Sequence, residues 1–210
     1  MKYENAKIIL SEIDNHFDKI GCELKFNSPY ELLVAVILSS QCTDKRVNMV
    51  TEKLFKVAPT PQKMIELGED KIKEIIYPCG FYSVKAKNLV NCSKKLIENF
   101  NGIVPKTMEE LTTLDGVGRK TASVILAEIY DIPALAVDTH VFRVSNRIGL
   151  SNSKNVLECE KQLKKLLPEN EWKHTHYSLV LFGRYYCKAK GNKCESCKIK
   201  NYCKNYNKGK

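Results

Sequence analysis

The chain lacks any hydrophobic run long enough to cross a membrane. Its longest apolar stretch is "LLVAVIL", at Leu32–Leu38, whereas a membrane-spanning helix needs roughly 20 apolar residues. The first residues, "MKYENAKIILSEIDNHF", carry acids early and show no apolar region followed by a cleavage site. We therefore expect no export signal and a cytoplasmic protein. In that reducing compartment, its nine cysteines are expected to be thiols or metal ligands rather than disulfides.

Acidic residues are scarce relative to basic ones. The chain has 34 Lys and Arg against 24 Asp and Glu, which gives a net charge of +10 and a pI near 9.1. Such a surplus suits a polyanionic partner, either nucleic acid or an acidic membrane surface. A basic bias without any such partner is the simpler alternative. The 210 residues, 43% of them hydrophobic, suffice to bury the core of one large domain or two small ones.

No β-hairpin signal, internal repeat or low-complexity segment is present, and the helix start signals predict an all-α fold. Two caps are followed three residues later by glutamate, Ser28 with Glu31 and Thr107 with Glu110, as in a capping box. Thr60 precedes a proline and starts a further helix. We expect the helix after Ser28 to be buried and to continue through "SSQ".

Other helices are predicted from apolar spacing and from glycine stops. Gly68 and Gly149 are expected to end helices. From Thr121 onward, apolar residues recur at helical spacing. The segment "NVLECEKQLKKLL" is expected to expose its lysines. Its predicted buried face consists of Val156, Leu157, Leu163 and Leu166.

The cysteines fall into two groups. After Gly183 the chain is rich in Cys, Lys and Asn and poor in aliphatic residues, so this tail cannot form a core of its own. Its spacing C-x6-C-x2-C-x5-C is typical of a metal site, and the spacing alone leaves zinc and a [4Fe–4S] cluster open. The four candidate ligands are Cys187, Cys194, Cys197 and Cys203. The single cysteines are expected to be buried small hydrophobes: Cys22, Cys42, Cys79, Cys92 and Cys159.

The stretch "LDGVGRKTA" and its flanks read as helix, tight turn and helix, over about residues 107–130. Gly116 and Gly118 allow unusual backbone angles and close approach of another backbone. The second helix then begins with unpaired N–H groups and a partial positive charge, which bind an anion such as a DNA phosphate. A glycine turn alone is weak support, because many helix connections contain glycine.

These motifs together resemble the endonuclease III family of helix-hairpin-helix DNA glycosylases. The resemblance rests on "LDGVGRKTA", "AVDTHVFRVSNR", the four-cysteine spacing, "SSQCTDKRVN" and "GFYSVKAKNL". It implies a six-helix barrel domain at residues 22–132 that contains the hairpin. It also implies an iron–sulfur cluster domain built from residues 1–21 and 133–210, with a DNA cleft between the two. The cofactor implied is a [4Fe–4S] cluster on the four tail cysteines.

The resemblance further implies a base excision repair enzyme. Such an enzyme removes oxidised pyrimidines from double-stranded DNA and cleaves the abasic site by β-elimination. Lys120 would be the amine that forms a Schiff base with the sugar, and Asp138 would accept its proton and balance positive charge. Asp138 is also a good helix N-cap, and the two roles are compatible. Double-stranded DNA with damaged bases or abasic sites is the implied partner of a monomer associated with the nucleoid.

The DNA contacts are transferred position by position. Gln41 would enter the base stack, and Phe81 would be its partner wedge, although an aliphatic residue is commoner there and a core aromatic is the alternative. His140 would line the site, or serve a structural role. Two departures from the family pattern are Asp115 in place of proline and Phe182 in place of histidine. Further expected DNA contacts are Gly116, Val117, Gly118, Arg119 and, on the cysteine-bound loop, Lys188, Lys190 and Lys193, with a merely solvated loop as the alternative for these lysines.

Three other functions stay open at the level of sequence. A mismatch-specific thymine or uracil glycosylase would share the motifs, because no feature defines the base pocket. An adenine-mismatch glycosylase usually lacks the hairpin lysine and carries an extra C-terminal domain, whereas this chain has Lys120 and ends soon after its cysteines. A non-enzymatic iron–sulfur protein that binds DNA or senses redox state would keep the cysteines and the charge. The pairing of Lys120 with Asp138 argues against it.

Overall fold

The computed structural model describes residues 1–207. These residues form α-helices and short 3-10 turns, without any β-strand among them, so the predicted all-α class is confirmed. The chain divides into two compact units. We call Cys22–Ile132 the central unit, and Met1–Gly21 together with the chain from Pro133 onward the terminal unit.

Twelve α-helices lie within the described part of the chain. In chain order they are α1 (Tyr3–Asp14), α2 (Pro29–Ser39), α3 (Asp44–Val57), α4 (Pro61–Leu67), α5 (Glu69–Ile76), α6 (Tyr82–Phe100), α7 (Met108–Thr112), α8 (Arg119–Ile129), α9 (Thr139–Ile148), α10 (Val156–Leu166), α11 (Trp172–Tyr185) and α12 (Lys204–Asn207). Helices α2–α8 build the central unit, and the others belong to the terminal unit.

Helix α2 is the core helix of the central unit. Every residue of Leu32–Leu38 is buried, as expected of a helix that is apolar all round, and α2 packs against α3, α6 and α8. At its start, the Ser28 hydroxyl accepts the Glu31 N–H at 3.1 Å. Glu31 itself accepts the backbone N–H of Asn27 at 2.6 Å, so the reciprocal bond of a capping box goes to the residue before the cap.

The end of α2 differs from the prediction. The helix stops at Ser39 rather than running through "SSQ", and Gln41 takes a left-handed conformation with φ of +51°. At this point the Lys85 ammonium donates to the carbonyls of Leu38 and Ser40. The other local signals are confirmed: Thr60 and Thr107 cap α4 and α7, and Gly68 and Gly149 follow α4 and α9 with φ of +78° and +91°.

The terminal unit has its own core, built from α1, α9, α10 and α11. Helix α11 crosses α9 closely at Gly183, where an added Cβ would lie 2.9 Å from the Cβ of His140 and 3.0 Å from Val144. The next residue back, Phe182, is buried and stacks on Tyr186, with ring centroids 5.7 Å apart. Only glycine permits α9 and α11 to approach so closely at this point.

The predicted buried face of α10 is wrong in its first turn. Val156 and Leu157 are 41% and 55% exposed, whereas Cys159 and Leu163 are fully buried. The buried stripe of α10 runs through Cys159 and Leu163, which are one helical turn apart. Leu157 lies two positions before Cys159, and two positions in a helix with 3.6 residues per turn place a side chain on nearly the opposite face. Leu166 is half-buried.

The burial of the single cysteines was also overestimated. Cys79, Cys92 and Cys159 are buried as predicted, but Cys22 and Cys42 are only half-buried. Both lie in connections between helices, where less of the core covers a side chain.

Within residues 1–207, no helix combines the length and the apolar content that a membrane span requires.

Candidate functional site

The predicted hairpin is formed by α7, a tight turn and α8. The Val117 N–H donates to the Leu114 carbonyl at 3.1 Å and closes the turn. Gly116 has φ of +78°, and a Cβ there would lie 3.1 Å from Ile37 and 3.2 Å from Asn88. The turn is therefore pressed against α2 and α6, and glycine at 116 is required both for its backbone angle and for its lack of a side chain.

Gly118 has a different role, because it is the N-cap of α8 and carries no side chain to satisfy the first N–H groups of the helix. Nothing lies within 4 Å of the position its Cβ would take. Gly116, Gly118 and Arg119 are exposed, but the Val117 side chain is buried. Unpaired N–H groups at a helix start attract anions, so the backbone of this turn, rather than Val117's side chain, is what can contact a phosphate.

Lys120 is the second residue of α8 and is half-buried. Its neighbours Thr121 and Ala122 are buried, which fixes the first turn of the helix to the core. Across residues 1–207, the Lys120 side chain has no hydrogen-bond or ion-pair partner. Its amine is consequently available to an external electrophile.

Asp115 does not add an unbalanced negative charge to the turn. Its carboxylate lies 2.8 Å from the Lys95 ammonium, which also donates to the Thr113 carbonyl at 2.8 Å. This ion pair ties the turn to α6.

Gln41 and Phe81 lie in two neighbouring turns of the central unit. Both have left-handed backbone conformations, with φ of +51° and +58°, which cost free energy in residues other than glycine. Phe81 is 64% exposed, so the alternative of a core aromatic is excluded. A Cβ on Gly80 would lie 3.5 Å from the Gln41 carbonyl, which places the two turns in contact.

Lys85 is a buried residue of this region that the sequence did not single out. It is 5% exposed, and its ammonium donates to the carbonyls of Leu38 at 2.9 Å and Ser40 at 2.7 Å. Burial lowers the pKa of Lys85. In the sequence, the burial of Lys85 is indicated only by its position on the predicted helix. It lies next to Ala86 and four residues before Leu89, both of which are buried on α6.

In the terminal unit, Asp138 is the N-cap of α9. Its Oδ1 accepts the Val141 N–H at 2.8 Å, so the predicted capping role is present. Over the described residues its Oδ2 has no hydrogen-bond partner, which leaves one carboxylate oxygen for chemistry. His140 is half-buried, and its Nδ1 lies 3.2 Å from a terminal nitrogen of Arg143.

We call residues 187–203, which carry the four tail cysteines, the cysteine loop. Two arginines of α9, which sequence reasoning missed, bind the start of this loop. Arg143 donates to the carbonyls of Gly183 at 2.7 Å and of Cys187 at 3.1 Å. Arg147 donates to the Lys188 carbonyl at 2.6 Å and lies 3.5 Å from the Cys187 sulfur. Their i, i+4 spacing places both on one face of α9, and that spacing was the only signal in the sequence.

The other three tail cysteines lie close enough to Cys197 to affect its pKa. Burial raises the pKa of the Cys197 thiol, and the charges of the other three cysteines raise it further. Three of the thiols pack against the core of the terminal unit, and Cys194 is exposed. No three metal-binding side chains within residues 1–207 converge as a single metal ion requires.

Two groups use four cysteine thiols as their donor set. A lone zinc ion draws four sulfurs to about 2.3 Å from one point, whereas a [4Fe–4S] cluster takes each cysteine on a different iron. The chemistry of the four thiols suits either group. The lysines of the loop, Lys188, Lys190 and Lys193, are all exposed.

Comparisons with known proteins bear on these features. The sequence model of the "HhH-GPD superfamily base excision DNA repair protein" family matches residues 34–169. Endonuclease III of Bacillus subtilis is 43% identical over 205 residues, which cover 97% of this chain and 94% of that protein. Endonuclease III of Haemophilus influenzae is 50% identical over 182 residues, covering 86% of each.

Solved structures of an endonuclease III and of a thymine-DNA glycosylase are also similar to this chain. The "Structure of a Trapped Endonuclease III-DNA Covalent Intermediate: Estranged-Adenine Complex" has a TM-score of 0.94 at 41% identity, with 100% of this chain and 99% of that chain covered. A thermostable thymine-DNA glycosylase, at 22% identity and a TM-score of 0.84, shares the fold alone. The helical fold and its glycine hairpin are those of a base excision DNA repair protein. Within that superfamily, the chain belongs to the endonuclease III family of DNA glycosylases and abasic-site lyases.

Proposed function

We propose that the chain removes oxidised pyrimidines from double-stranded DNA and cleaves the resulting abasic site through a lysine Schiff base. The observation that carries the proposal is the uncommitted amine of Lys120 at the start of α8, directly after the Gly116–Gly118 turn. The relative with a TM-score of 0.94 was solved as a trapped covalent intermediate with DNA, which supports a covalent route for this chain as well.

The chemistry assigns a task to each group. The Lys120 nitrogen attacks the anomeric carbon of the extruded nucleotide, the glycosidic bond breaks, and the base leaves. Opening of the sugar ring gives a Schiff base, which acidifies the neighbouring C–H. Loss of this proton to water expels the 3′ phosphate by β-elimination. The carboxylate charge of Asp138 stabilises the cationic sugar as the base leaves. Once the C–N bond has formed, Oδ2 accepts the amine proton while Oδ1 still caps α9.

The DNA is held by backbone groups and two inserted side chains. The backbone N–H groups at the start of α8, at residues 118–120, bind a phosphate next to the lesion. Gln41 and Phe81, in adjoining exposed turns, fill the space left by the extruded base, which otherwise costs a few kcal/mol of lost stacking and pairing. His140 and Arg119 are assigned as further contacts. The partner is duplex DNA of the nucleoid, bound by a monomer in the cytoplasm.

The exposed ring of Phe81 suggests a direct test of the wedge. Phe81→Ala is expected to weaken binding to damaged duplex much more than binding to single strands, because only the duplex has a gap to fill. Tyr77→Ala removes another exposed ring, 68% accessible, and serves as the control. An equal loss on duplex and single strands in Phe81→Ala would reject the wedge.

Cys187, Cys194, Cys197 and Cys203 would hold a [4Fe–4S] cluster. When bound, such a cluster would cross-link a tail that has little core of its own, and base release moves no electrons. Arg147, beside the Cys187 sulfur, places positive charge next to an anionic group. Purified protein is expected to contain iron and acid-labile sulfide in equal amounts, and stoichiometric zinc instead would contradict this assignment.

The experiment that tests the function is an excision panel. It comprises duplexes that each carry an oxidised pyrimidine, a G·T or G·U mismatch, an A·G mismatch, or an abasic site. We expect excision of the oxidised pyrimidines and strand cleavage at the abasic site without added cofactor. Excision of mismatched bases alone would instead indicate a mismatch glycosylase, and binding without any cleavage would indicate a non-enzymatic DNA-binding protein.

A further inference from the structure

We propose that Lys85 is a positioning residue, which holds the Gln41 and Phe81 turns together so that both side chains can enter the duplex. The inference rests on the proposed function, because it assumes that these two turns act on DNA. Lys85 itself is buried and has no contact with DNA in this scheme.

The ammonium of Lys85 closes the end of α2. The last carbonyls of a helix lack partners within the helix, and two carbonyls of this region, those of Leu38 and Ser40, accept from Lys85 at 2.9 and 2.7 Å. A positive charge at a helix C-terminus is also favoured by the helix dipole. By binding these carbonyls, the Lys85 side chain ends α2 and favours the left-handed backbone conformation of Gln41.

The backbone of Lys85 holds the other turn. Its N–H donates to the carbonyl of Phe81 at 3.0 Å, which is the first hydrogen bond of α6. One residue therefore binds the chain one residue before Gln41 through its side chain and Phe81 itself through its main chain. The contact between Gly80 and the Gln41 carbonyl lies between these two attachments.

The surroundings of Lys85 explain why its charge is costly to keep. The ammonium donates to two carbonyls, and the thiols of Cys42 and Cys79 lie near enough to act on its pKa. A buried cation without a carboxylate is expensive, and an apolar side chain of similar length would fill the same space at lower cost. What the ammonium does, and an apolar side chain could not do, is to donate hydrogen bonds to the two carbonyls directly before Gln41 and at the end of α2.

The same pair of helices offers a matched control. At the far end of α2, the Tyr30 hydroxyl and the Ser93 hydroxyl of α6 are 2.7 Å apart. Tyr30→Phe removes this buried bond without touching either turn, and Ser93 keeps its bond to the Leu89 carbonyl. It therefore reports the effect of weakening α2–α6 packing alone.

The test compares two substrates under single-turnover conditions. One is a duplex with an oxidised pyrimidine, whose excision requires base extrusion. The other is a single strand with an abasic site, whose cleavage requires Lys120 but no extrusion. The proteins are wild type, Lys85→Met, Lys85→Gln and Tyr30→Phe, each assayed below its own melting temperature.

We expect Lys85→Met to lower duplex excision roughly 10- to 100-fold, as a misplaced contact of about 1 Å does, with little change on the single strand. Lys85→Gln, which can donate to a carbonyl, is expected to restore part of the duplex rate and carries the comparison if Lys85→Met does not fold. Tyr30→Phe is expected to lower the melting temperature without changing the ratio of the two rates.

An equal loss on both substrates in the Lys85 variants would overturn the proposal, and so would a change of ratio in Tyr30→Phe. Failure of the wild type to cleave either substrate would instead contradict the proposed function. The two failures are thus distinguishable in one set of assays.

Discussion

Gly116 and Gly118 stand two residues apart in one turn, yet their surroundings differ. At Gly116, an alanine would combine φ of +78° with contacts of 3.1 and 3.2 Å to Ile37 and Asn88. We predict that Gly116→Ala lowers the free energy of unfolding by about 1–3 kcal/mol, because the strained backbone cannot relax against packed helices. Urea denaturation measures this change.

Gly118→Ala is the matched control for that prediction. Its φ is −95° and its Cβ position is open, so the free energy of unfolding should fall by less than about 1 kcal/mol, which reflects the poor capping ability of alanine alone. Its affinity for an abasic-analogue duplex should fall, because the methyl group obstructs the approach of a phosphate. A Gly116→Ala variant as stable as wild type would show that the turn is not held against α2 and α6.

A second residue-scale prediction concerns the buried thiol of Cys92. Burial raises the pKa of Cys92 to about 12 from the ordinary 9.0, and the nearby charge of Asp115 adds to the shift. Above pH 9 the unfolded chain releases this proton while the folded chain keeps it, so stability falls as pH rises from 9 towards 12. Well below pH 9, where the thiol is protonated in both the folded and the unfolded chain, the group has no effect on the pH dependence.

The measurement compares wild type with Cys92→Ala, which cancels the other titrating groups. We expect the advantage of wild type in unfolding free energy to shrink by about 1.4 kcal/mol between pH 8 and pH 10. A difference that does not change with pH would mean that this thiol ionises as easily in the folded chain as in the unfolded one.

At the scale of elements, the start of α9 combines a structural and a proposed chemical role in Asp138. Asp138→Asn keeps an oxygen that can accept the Val141 N–H, so stability should change little, whereas Asp138→Ala should cost about 1 kcal/mol. Base excision should fall in both variants, because the carboxylate charge is lost in both. Thermal unfolding and single-turnover excision separate the two effects.

Asn155→Ala provides the control, since Asn155 caps α10 by accepting the Glu158 N–H at 2.9 Å. It should reproduce the loss of stability without the loss of excision. Full activity of Asp138→Asn at neutral pH would leave Asp138 with its capping role alone.

Helix beginnings were predictable from sequence because their causes are local. Ser28, Thr60 and Thr107 each accept the N–H three residues later, as a cap within four residues dictates. The end of α2 was not predictable, because Lys85, which binds its carbonyls, is more than 40 residues further along the chain. The exposed Leu157 was missed for a similar reason, since packing decides which stripe of α10 is buried.

The site could be predicted only in part. The glycines of the hairpin and the cap at Asp138 follow from short motifs, and the structure shows the backbone geometry that these motifs imply. Other contacts depend on tertiary packing. One is the contact between the Gln41 and Phe81 turns, and another is the hydrogen bonding of Arg143 and Arg147 to the backbone at and near the start of the cysteine loop. No local pattern encodes such contacts between distant segments.

At the scale of the whole molecule, the net charge of +10 predicts salt-dependent DNA binding. Each phosphate contact adds about 0.9 to the slope of log affinity against log salt. Reversing the exposed Lys188, Lys190 and Lys193 to glutamate should therefore lower this slope by roughly 2–3 if the loop contacts DNA. Fluorescence anisotropy at several salt concentrations measures the slope.

The control reverses three exposed lysines elsewhere in the terminal unit, namely Lys154, Lys161 and Lys165. It imposes the same change of net charge away from the cysteine loop. A slope unchanged by the loop variant, or lowered equally by both variants, would mean that the loop is merely solvated.

The most direct measurement of the central claim is borohydride trapping of the enzyme on abasic duplex DNA, followed by mass spectrometry of the adduct. Wild type and Lys53→Ala, which removes an exposed positive charge from α3, should both be trapped, with the added mass on Lys120. Lys120→Ala should give no adduct while remaining folded. An adduct of undiminished yield in Lys120→Ala would place the nucleophile on another residue and contradict the account.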